Sequence, residues 1–484
     1  MMRTASLRRN AMLNASRTCM NLVFPLIMFT YASRVLLPEG IGRTVFASSV
    51  VSYFSMLAML GIQAYGIREA AKIRENRVAL TKLVREILVI NMSAVAVSYV
   101  LFFVMIFTVP RLHAYRSLLT VYSMMILCTA VGMEWLYTAM EDFAYITVRS
   151  LVFQALSVVL LFVFVREQSD SLKYAAVAVF SSAGTGLCNA VHARKLVLKK
   201  IDRPLEIKKH LRPVLTMFAL ALTGGVYALL DATMLGFLGN DAEVGLYSAG
   251  TRINGIVLSM VVSVGAVLLP RLSFYSGNGE RERFFVLFGT LVELVVLAAF
   301  PCAVGLCVLG EPLLLLFGGK GFSGALTAMR IMNPLIVIVG LSNCIGVQLF
   351  MPLGMEKKTL CSDVCGALVN ITLNVLLIPG HGAVGAAVGT LCAEATVLAV
   401  QFFFARKIIS LRGILAKCAI YFLLSLLMGL AVRFVLGLCV GMVMRILVPV
   451  LSGIGIYAVL VLLVRRQFIM SLFNGRKQWL EADA

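Results

Sequence analysis

The sequence predicts an all-α integral membrane protein with about fourteen transmembrane helices. Of its 484 residues, 60% are hydrophobic and only 14% are charged, and its mean hydropathy of +0.95 lies far above that of an ordinary soluble domain. Apolar stretches of about 20 residues, long enough to cross the hydrocarbon layer of a bilayer, recur along the chain. Basic residues fall mostly in alternate connections between these stretches, as expected of a multi-pass membrane protein.

Each predicted helix corresponds to one apolar stretch of membrane length. In order, the stretches cover residues 17–36, 45–66, 87–109, 117–139, 145–165, 172–192, 213–238, 244–269, 284–309, 325–350, 360–379, 383–404, 414–436 and 440–463. They are called spans 1 to 14 below. The first is long enough to span and carries no small-residue cleavage site, so we expect an uncleaved anchor.

The distribution of charge predicts the orientation. The chain has 43 Lys and Arg against 23 Asp and Glu. If the arginine-rich start MMRTASLRRN is cytoplasmic, the even-numbered connections and both termini hold about 31 of the basic residues. We therefore expect both termini to lie in the cytoplasm. The excess of Lys and Arg is then explained by the orientation of the helices in the membrane, and we expect no nucleic-acid partner.

An internal repeat predicts the organisation of the helices. The segments PEGIGRTVFASSVVSYFSMLAMLGIQAYGIR and DAEVGLYSAGTRINGIVLSMVVSVGAVLLPR correspond when the chain is shifted by 203 residues, which places Gly42 on Gly245 and Arg68 on Arg271. This spacing predicts two parallel six-helix lobes, residues 1–200 and 201–410, followed by two further helices and a cytoplasmic tail in 411–484. Parallel repeats related by an axis along the membrane normal are typical of transporters that rock around a central cavity.

Ionisable side chains inside the spans are the candidate functional residues, because each costs roughly 2.5 to 3.5 kcal/mol to insert. Depth along the helices suggests two pairs, Asp231 with Arg252 and Glu134 with Arg149, and either pair could serve only to neutralise its members. Two further carboxylates have no basic residue at their depth, and a lone carboxylate in a medium of low dielectric constant readily binds a proton or sodium ion. These two are Glu293 and Glu394, which could equally be neutral packing residues.

An enzyme is the alternative to a transporter, and the motifs do not favour it. The four histidines form no metal-binding pattern, the eleven cysteines have no metal-ligand spacing, and no nucleotide-binding loop is evident. A membrane-bound glycan polymerase or ligase would need reactive residues in an outer loop. The longest predicted outer connection, GEPLLLLFGGKGFSGA, holds one Glu and one Lys. We expect no catalytic residue, cofactor or metal.

Three segments resemble a known family: DATMLGFLGNDAEVGLYSAGTRI, YASRVLLPEGIG and GMEWLYTAMEDFAYITVRS. They are similar to the Wzx-type flippases, the polysaccharide-exporting branch of the multidrug/oligosaccharidyl-lipid/polysaccharide (MOP) exporter superfamily. The likeness extends over residues 10 to 410. The sequence departs from the family at Leu37 and Ala139, where the family usually or often has glycine.

The resemblance implies translocation of an undecaprenyl-diphosphate-linked oligosaccharide from the inner to the outer leaflet, for the synthesis of O-antigen, capsule or exopolysaccharide. It implies binding of the diphosphate by Arg17, Arg34, Arg149 and Arg252, since arginine is a permanent cation with a fork of donors for phosphate oxygens. Coupling to a proton or sodium ion would involve Asp231, Glu134, Glu293 and Glu394. Membrane lipid and a polysaccharide polymerase are further expected partners. A peptidoglycan-precursor flippase or a multidrug exporter of the same superfamily is the alternative.

Overall fold

The computed structural model describes residues 7–198 and 204–470, and these residues form helices and short connections without a β-strand. The α-helices are α1 Leu7–Met59, α2 Ile62–Lys72, α3 Arg77–Thr108, α4 Arg116–Val131, α5 Glu134–Ala139, α6 Phe143–Phe164, α7 Ser171–Leu196, α8 Lys208–Leu238, α9 Asp241–Gly277, α10 Arg281–Phe317, α11 Ala325–Met332, α12 Leu335–Asn343, α13 Glu356–Ala405, α14 Leu411–Leu438 and α15 Met444–Val464. Short 3₁₀-helices lie at Pro110–Tyr115 and Lys320–Phe322, and a π-helix at Cys344–Phe350 extends α12.

The described helices agree with the predicted number of spans. Within them, eleven segments are long and apolar enough to cross a membrane, and a bent pair, Lys208–Ala219 and Gly224–Leu238, forms one more. Two of the eleven, Val23–Lys72 and Glu356–Ala405, are 50 residues long. At 1.5 Å per residue each is about 75 Å long, enough for two crossings. Counting each of these as two gives the fourteen predicted spans, so the predicted all-α membrane fold is confirmed.

A backbone break divides each of the two longest helices where the sequence predicts separate spans. Within α1, Leu37 has φ 59° and ψ 178°, a conformation that is essentially restricted to glycine. The next residue, Pro38, has no N–H to donate to the preceding turn. Within α13, Gly382 has φ 50° and ψ −127°, three residues after Pro379. Leu37, one of the two departures from the family pattern, therefore occupies a position whose geometry favours glycine.

The described part of the chain forms two compact units. Unit 1 comprises the residues up to Ser248 together with Phe317–Phe322 and Leu373–Ala386. Unit 2 comprises Ala249–Leu316, Ser323–Thr372 and the residues from Ala387 onward. These units are defined by packing and do not test the internal repeat, so the lobes 1–200 and 201–410 and the segment 411–484 remain predictions.

A close crossing of α1 and α9 in unit 1 depends on two glycines. A Cβ atom at Gly42 would lie 1.6 Å from the carbonyl oxygen of Asp241, and one at Gly245 would lie 2.0 Å from the carbonyl oxygen of Pro38. Only glycine allows two backbones to approach so closely. The shift of 203 residues that aligns Gly42 with Gly245 also aligns Pro38 with Asp241. The repeat therefore relates the two contacts to each other, since each joins a glycine of one segment to the backbone of the other. A two-fold axis between the two glycines would produce such a pair of contacts.

A buried polar cluster joins α2, α3 and the start of α8 in unit 1. The His210 ring is hydrogen-bonded through Nδ1 to the Tyr65 hydroxyl, at 2.5 Å, and through Nε2 to Glu86 Oε2, at 2.8 Å. Glu86 also accepts the backbone N–H of Glu206, at 2.6 Å. Outside the spans, the ammonium groups of Lys82 and Lys209 lower the pKa of Glu206 to about 2. The cluster attaches the start of α8 to α3.

Candidate substrate and ion sites

Arg17 and Glu134 form an ion pair within unit 1. Arg17 lies near the start of α1, and Glu134 is the first residue of the short helix α5. The predicted pairing of Glu134 with Arg149 is wrong, because Arg149 instead donates to the side-chain oxygen of Asn189 on α7. The prediction used depth alone. The actual partner is decided by which face of each helix is turned toward its neighbour.

Arg149 is a buried cation with neutral partners. Its residue is only 9% exposed, and its described contacts are Asn189 and the ring of Tyr145, whose centroid lies 5.8 Å from the guanidinium carbon. The Nε atoms of Arg149 and Arg17 are both buried without a hydrogen-bond partner, and the two guanidinium groups are close enough to repel. A buried charge without an opposite charge is costly. This arrangement can accept an anion.

Asp231 on α8 is held by neutral donors from two other segments of unit 1. Tyr247 donates its hydroxyl to Oδ2 at 2.7 Å, and Asn374 donates its amide to Oδ1 at 2.7 Å. Two residues along α8, the hydroxyl oxygen of Thr233 lies 3.1 Å from that of Ser49 and 3.3 Å from that of Tyr53. Asp231 therefore lies beside a hydroxyl and an amide group, and a carboxylate inside a membrane span is a candidate for binding a proton or a sodium ion.

Glu293 on α10 is paired with two cations in unit 2, so the prediction that it has no basic partner is wrong. Its carboxylate is bonded to Lys417 Nζ at 2.8 Å and to Arg465 Nε at 3.0 Å, and it accepts the Tyr421 hydroxyl at 3.0 Å. Lys417 and Tyr421 lie on α14, and Arg465 directly follows α15. The carboxylate thus ties both C-terminal helices to α10, a structural role that span depth alone did not reveal.

The remaining predicted site residues are distributed over both units. Arg34, exposed on α1, lies with its aliphatic stem against Gly319 within unit 1. Arg252 on α9 and Glu394 on α13 are half-buried in unit 2. Because Asp231 and Arg252 belong to different units, the pair between them stays a prediction. The described residues contain no group of three or more His, Cys, Asp or Glu side chains able to hold a metal ion.

Comparison with known proteins identifies the family. A family model described as "Polysaccharide biosynthesis protein" matches residues 7–276, more than half of the chain. The chain belongs to the polysaccharide biosynthesis protein family. The expected family, predicted from three short segments, is thereby confirmed.

This polysaccharide biosynthesis protein is similar over most of its length to a curated protein and to two solved structures. A curated protein of Escherichia coli (strain K12), named "Putative O-antigen transporter", is 22% identical over 410 residues, which are 83% of this chain and 97% of the relative. A solved structure of the lipid II flippase MurJ in an inward closed conformation has a TM-score of 0.68 at 16% identity, covering 93% of this chain and all of that one. An inward-facing multidrug resistance MATE family transporter of the MOP superfamily has a TM-score of 0.62 at 14% identity, covering 81% and 94%. The two structures establish the fold.

Sequence reasoning missed several polar residues around Arg149 in this polysaccharide biosynthesis protein. His192, one turn beyond Asn189, stacks on Tyr145 with ring centroids 4.2 Å apart, and its Nδ1 atom is buried without a partner. About 8 Å along α6 from Arg149, Gln154 donates to Asn21 on α1 at 2.8 Å. The signal was available as polar side chains inside predicted spans. It was overlooked because only ionised residues were counted.

Proposed function

We propose that the protein is a flippase. It moves an undecaprenyl-diphosphate-linked oligosaccharide repeat unit from the inner to the outer leaflet of the bacterial cytoplasmic membrane by ion-coupled alternating access. The glycan would enter O-antigen, capsule or exopolysaccharide synthesis. Family membership and the similarity, over 83% of this chain, to the E. coli protein named "Putative O-antigen transporter" support this proposal. The proposal makes the protein a transporter rather than an enzyme, with no cofactor.

The observation that carries the proposal is the buried Arg149 with neutral partners. A diphosphate cannot cross hydrocarbon unaided because its charge is strongly hydrated. Arg149 has an unused Nε–H donor, and Arg17, whose Nε–H is also unused, lies close by. Arginine binds phosphate oxygens through charge-assisted hydrogen bonds, often two at once. In this mechanism the head group binds at these two residues while the lipid chain stays in the bilayer.

The proposed function assigns the remaining predicted residues by their surroundings. Arg34 and Arg252 remain proposed contacts for the diphosphate or anionic glycan. Asp231 is the favoured coupling carboxylate, because Tyr247 and Asn374 bring a hydroxyl and an amide group to it from two other segments of unit 1. Glu394 remains a further proposal for coupling. Glu134 and Glu293 are less suited to releasing and rebinding an ion, since each is already neutralised by a cation in its own unit.

The decisive experiment measures flipping by the purified protein in proteoliposomes. The substrate is a fluorescent undecaprenyl-diphosphate-linked oligosaccharide. Arg149→Gln should lower the rate about 10- to 100-fold, because hydrogen bonds to charged groups are worth about 1.5 to 3 kcal/mol. Arg194→Gln is the matched control, since Arg194 is exposed at the end of α7. Equal rates for both variants would contradict the role of Arg149.

A second measurement tests the substrate class. Deletion of the gene should leave the lipid-linked oligosaccharide accumulated at the cytoplasmic face, with loss of the surface glycan. Accumulation of a peptidoglycan lipid precursor instead would favour the alternative flippase. A multidrug exporter would alter drug tolerance and leave the surface glycan unchanged.

Ion coupling is tested in the same proteoliposomes. Asp231→Asn keeps a side chain that can hydrogen-bond to Tyr247 and removes the ionisable group. The variant should flip substrate at a rate that no longer responds to an imposed proton or sodium gradient. Wild-type transport at full rate without any gradient would refute coupling altogether.

A further inference from the structure

A pocket of ≈ 280 Å³ lies in unit 2, at the end of the helices that the charge pattern predicts to be cytoplasmic. Its walls come from the first turns of α10, the connection after α13 and the start of α14. The walls are mainly apolar, with Phe285, Phe288, Ile409 and Ile414 among them. An added Cβ at Gly289, on the wall from α10, would meet no atom within 4 Å. The space beside Gly289 is therefore open.

One cation lies inside this apolar pocket. Lys417 Nζ donates to the backbone oxygen of Gly289 at 3.1 Å and is paired with Glu293 at 2.8 Å. An ammonium group has three donors, so these contacts leave one for a ligand. Glu293 is shared with Arg465, and the cluster therefore keeps one excess positive charge. Ser410, which also lines the pocket, makes no side-chain cap to α14 and has a free hydroxyl for the same ligand.

The segments that adjoin or contain the pocket-lining residues are also basic. Residues 280–283 and 406–417 hold six Lys and Arg against two Glu. Arg281 and Arg412 are exposed at the first turns of α10 and α14. Apolar walls with one lysine among the lining residues, and further cations in the adjoining turns, are complementary to a lipid that carries a negative head group.

We propose that this pocket binds the head group of an anionic phospholipid of the adjoining leaflet, with the phosphate on Lys417 and Ser410. The volume lies below the range for a complete drug-sized ligand, about 300 to 1,000 Å³, so it suits a head group and not a whole lipid. The acyl chains would lie on the outer faces of the same helices, where Val286 is 63% and Leu415 is 59% exposed. The site is independent of the proposed flippase function.

Filling the pocket tests the proposal. Purified full-length protein is incubated with equimolar phosphatidylglycerol and phosphatidylcholine in detergent, and retained lipids are measured by native mass spectrometry. Wild type should retain one phosphatidylglycerol in preference to phosphatidylcholine. Gly289→Leu should lower that occupancy about tenfold. Gly305→Leu is the matched control, because Gly305 lies on the same helix, outside the pocket, and an added Cβ there also meets nothing within 4 Å.

A second pocket-filling variant guards against misfolding of the first. Gly413→Leu enters the pocket from α14, where an added Cβ would meet only the Ser410 hydroxyl at 3.8 Å. Undiminished phosphatidylglycerol retention by both pocket variants would overturn the proposal, as would equal retention of the two lipids by wild type. Displacement of the lipid by soluble glycerol 3-phosphate would show a site for free phosphate instead. Pocket-dependent retention of a polyprenyl phosphate, without phosphatidylglycerol, would show that the occupant is the isoprenoid carrier.

Discussion

The crossing of α1 and α9 gives a sharp prediction, because two glycines hold two backbones in contact. In Gly245→Ala the new Cβ would lie 2.0 Å from the carbonyl oxygen of Pro38 and 2.9 Å from its Cα atom. Both are backbone atoms, so no side-chain rotation relieves the overlap. Ordinary contact begins at 3.4 Å, so the two segments must separate by about 1.4 Å at this point.

The expected cost follows from two opposing effects. Overpacking of this kind destabilises by about 1 to 3 kcal/mol, and a clash between rigid backbones lies toward the upper end. Alanine has a higher helix propensity than glycine, which returns up to about 1 kcal/mol. The net loss is about 1 to 2 kcal/mol. Gly255→Ala on the same helix is the control, since its Cβ would meet nothing within 4 Å and only the propensity gain applies.

The assay is thermal unfolding of the purified protein in detergent, followed by far-UV circular dichroism. Gly245→Ala should unfold a few degrees below wild type, and Gly255→Ala at or slightly above it. Gly42→Ala should behave like Gly245→Ala, because its Cβ would lie 1.6 Å from the carbonyl oxygen of Asp241. If Gly245→Ala were as stable as Gly255→Ala, the close crossing would be refuted.

Three further changes test single features of the fold. Leu37→Gly should raise the unfolding temperature, because it removes backbone strain of about 1 to 3 kcal/mol at φ 59°. The added conformational entropy of glycine in the unfolded chain costs less, about 0.5 to 1 kcal/mol. A lower unfolding temperature would show that the contacts of the Leu37 side chain stabilise the fold by more than its backbone strain destabilises it. In the connection between α6 and α7, the Lys173 ammonium and two backbone N–H groups lower the pKa of Asp170 to about 2. The ionised Asp170 therefore stabilises the fold fully above its unfolded pKa of about 3.9, and this stabilisation is lost as pH falls through about 2. The unfolding temperatures of wild type and Asp170→Asn should differ above this pH range and become equal below it. A difference that does not change with pH would contradict the stabilising role of the Asp170 carboxylate. Glu293→Gln should lower the unfolding temperature, because Lys417 and Arg465 lose the carboxylate with which they are paired. Transport by the folded fraction of this variant should still respond to the ion gradient. Loss of that response at an unchanged unfolding temperature would show that Glu293 is a coupling residue after all.

The spans could be predicted from sequence because membrane insertion depends on local composition. A stretch of about 20 apolar residues is visible without knowledge of any neighbour, and the resulting count agrees with the described helices. The exact ends were less accessible. Spans 1 and 2 were predicted as 17–36 and 45–66, whereas α1 runs on from Leu7 to Met59 with only a break at Leu37. Hydropathy shows where lipid surrounds a helix, and hydrogen bonding decides where the helix ends.

The pairing of charges could not be predicted, because it depends on how each helix is rotated about its axis. Arg17 and Glu134 are 117 residues apart in sequence, and Glu293 and Arg465 are 172 apart. Both members of each pair were visible as charges, yet depth alone gave Glu134 the wrong partner and gave Glu293 none. A rotation of one residue, about 100°, turns a side chain to a different neighbour, and neither composition nor span length reports it.

The pairings separate the candidate residues into two kinds. Glu134 and Glu293 each neutralise cations within one unit, and such pairs hold helices together without needing a ligand. Arg149 has neutral partners at 9% exposure, and an anion bound beside it would offset the remaining cost of burying its charge. Arg17 is paired with the Glu134 carboxylate, and its Nε–H still has no hydrogen-bond partner. An anionic head group beside Arg149 would compete with Glu134 for Arg17, so substrate binding would loosen the contact between α1 and α5. That competition would link the charge of the substrate to a rearrangement of the helices, and it predicts that Glu134→Gln strengthens substrate binding while Arg149→Gln weakens it.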